Sequence, residues 1–313
     1  MTSEINNPLQ ELFSPCRLCP HSCGALRHKN ERGLCGQGKN ASVALRTVHR
    51  GEEPPISGHK GSGTIFFNGC SLGCLFCQNH QISRCDAHQS SLQEVSTEEL
   101  AETMLSLQRQ GVHNINFVTP THFAPHMVAA IKMARAGGLS LPVVYNTSGF
   151  DTLEVIRLLR GYVDIYMPDI KWLTPRPGLL CAGNLTYHEG IMPVIAEMYD
   201  QVGPLALNEE GVATGGLLIR HLVLPGGLSD SFQLLEQLAP LISLGVGISL
   251  MAQYHPHGEG LPEPLHRTIT GEEYYPLAYE LRSMKPPISF IQDLESHGIL
   301  NPDFSKPCDD VFS

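Results

Sequence analysis

The sequence predicts an α/β protein built from consecutive parallel βα units. Three observations carry this. Strand-like and helix-like stretches alternate through the middle of the chain, the pattern of a parallel sheet with crossover helices. The 313 residues are ample for one barrel-sized domain with appendages. Finally, a loop with three cysteines follows directly on the first strand of the alternating region, where a barrel enzyme places its site.

The first strand is expected over residues 63–69, through Gly63-Thr64-Ile65-Phe66-Phe67-Asn68. A helix follows near 97–110, because Ser96 and Glu99 make a capping-box pattern and Gly111 can end it. Residues 112–118 are the second strand. The next helix, near 124–136, has Pro125 at its start and Gly137-Gly138 at its end. Residues 141–146 form the third strand, and Asp151 is placed to cap the helix after it. Residues 163–167 and 217–224 are the fourth and fifth strands. A helix near 231–243 leads into the sixth, over 245–251. Between 171 and 217 the alternation weakens. Thr174-Pro175-Arg176-Pro177-Gly178 reads as a turn, and 185–200 reads as a helix interrupted by Pro193. Six βα units fall short of the eight of a closed barrel. The expected organisation is a cysteine-rich metal-binding segment over 1–60, a barrel over 61–255 and a helical extension over 256–313.

Acidic residues outnumber basic ones, 31 to 21, for a net charge of −10. A general affinity for nucleic acid or anionic lipid is not expected. The first residues lack a basic region followed by an apolar core. The longest uncharged apolar stretch, 238–252, contains Pro240, Gly245 and Gly247 and is too short to span a bilayer. Ten cysteines without an export signal read as metal ligands or reduced thiols and place the protein in the cytoplasm.

The cysteines carry the chemistry. The stretch Gly69-Cys70-Ser71-Leu72-Gly73-Cys74-Leu75-Phe76-Cys77-Gln78-Asn79 has C-x3-C-x2-C spacing. Thiolates are soft ligands suited to iron–sulfur clusters and zinc. A cubane takes four cysteines, so three leave one iron open to a small molecule. A zinc knuckle would need a fourth ligand, for which His80 is near, but the strand leading into the loop weighs against it. A second group, Cys16-x2-Cys19-x3-Cys23-x11-Cys35, places four cysteines in 20 residues with Gly24, Gly33 and Gly36 for sharp turns. It reads as a complete four-thiolate site, compatible with zinc or an auxiliary four-iron cluster. Cys85, Cys181 and Cys308 have no partner pattern and read as ordinary thiols.

The triplet, with an aromatic before its third cysteine, resembles the signature of radical S-adenosylmethionine (radical SAM) enzymes. Further motifs are Glu52-Glu53-Pro54-Pro55-Ile56-Ser57-Gly58, Val118-Thr119-Pro120-Thr121-His122, Tyr145-Asn146-Thr147-Ser148-Gly149-Phe150, Met167-Pro168-Asp169-Ile170-Lys171 and Arg220-His221-Leu222-Val223-Leu224-Pro225-Gly226. Together they resemble the branch named after pyruvate formate-lyase activating enzymes but distinct from the true activases, over residues 16–254. The resemblance implies a partial (β/α)6 TIM-like barrel, open on one side, behind a cysteine-rich N-terminal extension. It implies a four-iron–four-sulfur cluster on Cys70, Cys74 and Cys77, with S-adenosylmethionine on the open iron. Reductive cleavage to a 5′-deoxyadenosyl radical would precede hydrogen abstraction.

By the same resemblance Phe76 packs near the adenine. The usual Gly-Gly-Glu-like motif is replaced by Thr119-Pro120-Thr121-His122, leaving Thr119 and Thr121 as acceptors for the methionine ammonium. Asn146, Thr147, Met167 and Asp169 match positions that hold a monovalent cation beside the methionine carboxylate, and Lys171 is placed at the same cofactor site. Asn146 stands where an aspartate is usual. The alternative for Asp169 and Lys171 is an ion pair at the barrel rim. Arg220 and His221 alternate in their strand, so one points inward, and Arg220 suits a carboxylate or ribose. Gln253, Tyr254 and His255 are expected at the substrate opening. The implied partners are an electron donor such as flavodoxin or ferredoxin, and a glycyl-radical protein or a small-molecule substrate. The different class of reading is an iron–sulfur or zinc redox-sensing module without turnover.

Overall fold

The computed structural model describes residues 8–84, 93–257, 260–298, 302–307 and 310–312; Cys85 and Cys308 lie outside these. The strands, in chain order, are β1 (Ala41–His49), β2 (Ser62–Phe67), β3 (Gln93–Val95), β4 (Ile115–Val118), β5 (Val143–Thr147), β6 (Ile165–Pro168), β7 (Ala206–Leu207), β8 (Ala213–Leu222), β9 (Gly247–Met251) and β10 (Ser289–Ile291). The helices are α1 (Pro8–Phe13), α2 (Pro54–Ser57), α3 (His80–Ser83), α4 (Thr97–Arg109), α5 (Ala124–Ala136), α6 (Leu153–Leu158), α7 (Pro175–Ala182), α8 (Tyr187–Val202), α9 (Ser231–Ser243) and α10 (Gly271–Ser283).

One sheet organises them, in the order β10-β9-β8-β6-β5-β4-β2-β1-β3, with β7 pairing β8. From β10 to β2 every neighbouring pair is parallel. β1 is antiparallel to β2 and to β3. The ends of this order, β10 and β3, do not pair with each other, so the sheet is an open, partial barrel. The six expected strands are β2, β4, β5, β6, β8 and β9. The sheet also runs past both limits expected for the barrel, residues 60 and 255. β1 adds on one side, and β10 adds a seventh parallel strand on the other.

Helices predicted from local punctuation form where expected. Ser96 Oγ accepts from Glu99 N and the Glu99 carboxylate accepts from Ser96 N, a complete capping box on α4. Ser96→Ala is expected to lower stability by about 1 kcal/mol, read as a shift of the urea midpoint. α9 occupies 231–243 as predicted. Two local readings are corrected. Asp151 does not cap α6; Thr152 does, accepting from Val155 N. Asp151 is instead buried and accepts from the hydroxyls of Thr121, Tyr145 and Thr147. The turn-like 174–178 segment opens α7, with Pro175 at its first turn.

β2, β4, β5, β6 and β9 are buried at every position, as parallel strands covered on both faces are. Leu100, Met104 and Leu107 of α4 and Met127 and Ile131 of α5 belong to the large apolar core. Inside the barrel, Asn116, Asn146, Arg220 and Ser249 face a polar interior instead. No helix among the described residues is long and apolar enough to cross a membrane.

Candidate active site

A cavity of about 550 Å³ runs through the open barrel. Cys70, Cys74, Phe76 and Cys77 line it, as do Thr119, Asn146, Thr147, Asp169, Lys171 and Arg220. Of the residues that the sequence assigned to the cofactor, all but Met167 and Thr121 therefore meet in one space. Met167 is fully buried in a separate apolar cluster with Val144, Ile165 and Leu218 and does not line the cavity.

The triplet loop leaves the carboxyl end of β2 through Gly69, whose φ of +80° is left-handed. A Cβ there would stand 2.5 Å from the Cys35 carbonyl oxygen, so only glycine fits between the two cysteine segments. The loop is tied down by Gly69 N to Ile82 O and by Leu75 N to Cys181 O, both 2.8 Å. Burial raises the pKa of Cys70 and of Cys74. Nearby Lys171 opposes that rise at both. Cys181 lies close enough to Cys74 for their charges to interact.

Beside the triplet stands a buried charge network. Arg220 Nε donates to Asp169 Oδ1 (2.7 Å), Nη1 to Glu52 Oε2 (3.1 Å) and Nη2 to Asn146 Oδ1 (2.7 Å). Lys171 Nζ donates to Asp169 Oδ2 (2.9 Å). Burial opposes the Asp169 charge, but Arg220 and Lys171 outweigh it and hold the carboxyl below its usual range. Burial also opposes the charges on Lys171 and Arg220; carboxylates outweigh it and raise both pKa values, Asp169 being the strongest for each. Both Asp169 oxygens are thus engaged by cationic side chains, so the ion pair of the alternative reading is present while both residues also line the cavity. Alternation in β8 works as predicted. Arg220 points into the cavity, while His221 faces away and bonds Ile170 O and Ser231 Oγ. Thr119 lines the cavity in a left-handed conformation, φ +56°, at the end of β4. The Thr121 hydroxyl is spent on Asp151. Phe76 packs edge-on against Tyr254 at 5.5 Å.

The sequence reading gave no role to Glu52, Glu53 or His49. Glu52 reaches into the barrel and accepts from Asn116 and Asn146 as well as Arg220. Glu53 lies 3.7 Å from Arg220. Its Oε2 has no hydrogen-bond partner among the described residues. Burial raises both glutamates against the pull of Arg220, and burial lowers His49 to about 4. A chain of amides, Gln78–Gln253–Gln292, closes the same cavity. The adjacent glutamates before the first strand were the available signal for this end of the site.

The residues fit an iron–sulfur cluster. Three thiols face one cavity and sense one another's charge, and the donor set is the soft one such a cluster takes. Among the described residues no three His, Cys, Asp or Glu side chains are gathered about a single bare metal ion. A cubane differs, because each thiolate then binds its own iron.

The sheet is thus an open, mostly parallel α/β barrel with a three-cysteine loop at the carboxyl end of its first parallel strand. Residues 64–189 match the model of the radical SAM superfamily. Members of that family use a four-iron–four-sulfur cluster and S-adenosylmethionine. An uncharacterized protein of Methanocaldococcus jannaschii is 29% identical over 273 residues, covering 84% of this chain and 73% of that protein. Among solved structures, methylornithine synthase aligns with a TM-score of 0.49 and 13% identity, over 73% of this chain and 63% of that one. Streptococcus suis SuiB bound to S-adenosylmethionine aligns at 0.46 and 11%, over 76% and 52%. The chain spans less than two thirds of the length of these solved structures.

Proposed function

We propose that this protein cleaves S-adenosylmethionine reductively and abstracts a hydrogen atom from a substrate held in the barrel. The observation that carries this is the shared cavity, in which the three thiols and the polar strand ends meet. When bound, the cluster and S-adenosylmethionine supply the electron and the 5′-deoxyadenosyl radical. The chain's own residues do the positioning. Cys70, Cys74 and Cys77 hold three irons. Phe76 packs at the adenine. Thr119 offers oxygens to the methionine ammonium, and Lys171 and Arg220 offer positive charge to its carboxylate.

The branch resemblance makes activation of a glycyl-radical protein the first reading of the substrate. A small molecule is the second. Pro302 and Phe312 of the C-terminal segment line the cavity and take up part of its wall, which favours the small molecule. We place the protein in the cytoplasm, with flavodoxin or ferredoxin as electron donor. Cys16, Cys19, Cys23 and Cys35 are read as a second metal centre, iron–sulfur or zinc.

Reduced, cluster-reconstituted protein is expected to form 5′-deoxyadenosine from S-adenosylmethionine, measured by chromatography. No product from a fully loaded protein would sink the enzyme reading and leave a redox-sensing module. Asp169→Ala is expected to weaken S-adenosylmethionine binding about tenfold with iron content unchanged, because Asp169 aligns both cations. Equilibrium dialysis on the reconstituted variant tests this, and an unchanged affinity would reduce Asp169 to a rim ion pair.

A further inference from the structure

We infer that Arg27 is the buried counter-cation of a four-thiolate metal centre at Cys16, Cys19, Cys23 and Cys35, and that this centre is clamped to the loop carrying Cys70. The inference rests on the second-centre reading above. It adds a residue that the sequence did not single out.

The four cysteines lie on one folded-back segment. Cys16 N donates to Ala25 O and Gly24 N to Cys16 O, both at 3.0 Å, which folds the segment back on itself. A Cβ on Gly33 would stand 3.2 Å from Cys23 Sγ and 3.6 Å from Cys35 Sγ, so these two sulfurs flank one bare stretch of backbone. The Cys19 thiol senses the charges of Cys35, Cys16 and Cys23.

Arg27 lies beside them with 0% of its surface exposed. Its guanidinium sits against Phe13 (4.2 Å to the ring centre) and Phe123 (5.2 Å). Nε donates to Gly38 O (2.8 Å) and Nη1 to His122 O (2.5 Å). Among the described residues Nη2 has no nitrogen or oxygen partner, and no carboxylate forms an ion pair with Arg27. Its charge acts instead on the Cys16 thiol. An arginine cannot discharge itself by losing its proton, and a buried charge is costly unless paired. Metal binding deprotonates thiols. A zinc ion with four thiolates carries a net charge of about −2, and a four-thiolate cubane is likewise anionic. Either supplies the anion that Arg27 lacks.

The same arginine ties the centre to the triplet loop. The His122 carbonyl that it grips belongs to a residue whose ring Nε2 bonds Asn68 O at 2.8 Å, one residue before Gly69. His21, between Cys19 and Cys23, bonds Ser71 O at 2.8 Å. Gly69 itself is pressed against the Cys35 carbonyl.

The test starts from the full chain with Cys70, Cys74 and Cys77 replaced by Ala, so that any metal counted belongs to the N-terminal centre. That parent is expected to hold about four irons or one zinc, which also distinguishes the two. Arg27→Met, which keeps an apolar stem between the two phenyl rings, is expected to weaken retention against a chelator by about 10–100-fold. Arg27→Lys should restore most of it. Melting then separates a counter-cation from a simple structural pin. Arg27→Met should lower the melting temperature of the metal-bound protein but raise that of the chelator-stripped protein, where the cation has no anion. If the substitution lowers both alike, or abolishes folding in both states, Arg27 is a pin and the inference is overturned. Undiminished metal retention in Arg27→Met overturns it too. A parent holding neither iron nor zinc overturns the second-centre reading itself.

Discussion

Full-length protein with Cys70, Cys74 and Cys77 all replaced by Ala is expected to form no detectable 5′-deoxyadenosine after anaerobic reconstitution and reduction. The three thiols are the soft donors that face the cavity shared with Asp169, Lys171 and Arg220. Without them no iron is held where S-adenosylmethionine would meet it. The loop should stay folded in the variant, because its bracing comes from backbone groups of Gly69, Leu75, Ile82 and Cys181 and not from the sulfurs. Cys181→Ala is the matched control. Its thiol is fully buried close to Cys74, yet Cys181 does not line the cavity. That variant should keep both its iron and its turnover. Deoxyadenosine from the triple variant, or its loss in the Cys181 control, would mean that the cluster ligands have been misassigned.

What could be read from the sequence was local. The α4 helix is announced by Ser96 and Glu99 three residues apart, and the triplet by a spacing of seven residues. Both signals are complete within one turn or one loop. The strand partners were not legible in the same way. β1 pairs antiparallel with β2 over a register set by tertiary contacts, and β10 has only three half-buried residues. Met167 is assigned to the cavity by resemblance alone, and a strand buried on both faces shows no alternation that could reveal that it packs with Val144 and Leu218. Asp151 has a residue type that suits an N-cap and stands one position before the true cap, Thr152. Only the fold shows that three hydroxyls claim its carboxylate. Glu52 was visible as half of an acidic pair, but its partner Arg220 is 168 residues away. The long-range charges, Glu52 to Arg220 and Arg27 to the thiols, are what a single sequence conceals.

That long-range network sets the other large effect. Arg220→Met is expected to destabilise the protein by about 3–5 kcal/mol at neutral pH, because it strips the cation from a buried cluster and leaves its carboxylates behind. The Glu52 and Glu53 side chains are each only 7% exposed, and Arg220 is the cation they share. Asp169 keeps Lys171 and suffers less. The effect should depend on pH in a direction the geometry fixes. Burial already holds Glu52 and Glu53 above their usual pKa, and losing Arg220 pushes them further up. A carboxyl whose folded pKa exceeds its unfolded value, about 4.3 for glutamate, costs stability in full above the folded pKa. That cost fades as pH falls from the folded pKa towards the unfolded one. Asp169 has the opposite sign, since its lowered pKa gives stability that persists down to the acid range below about 3.9. The deficit of Arg220→Met should therefore be greatest near pH 7.5 and smaller at about pH 4.3, the unfolded glutamate value, below the raised pKa of both buried glutamates. Arg220→Lys, which keeps the charge but loses the planar fork, should fall between the parent and Arg220→Met. Urea unfolding followed by the fluorescence of Trp172, the single and fully buried tryptophan, measures each difference. An equal deficit at the two pH values would show that Arg220 stabilises the barrel by packing and not by neutralising Glu52 and Glu53.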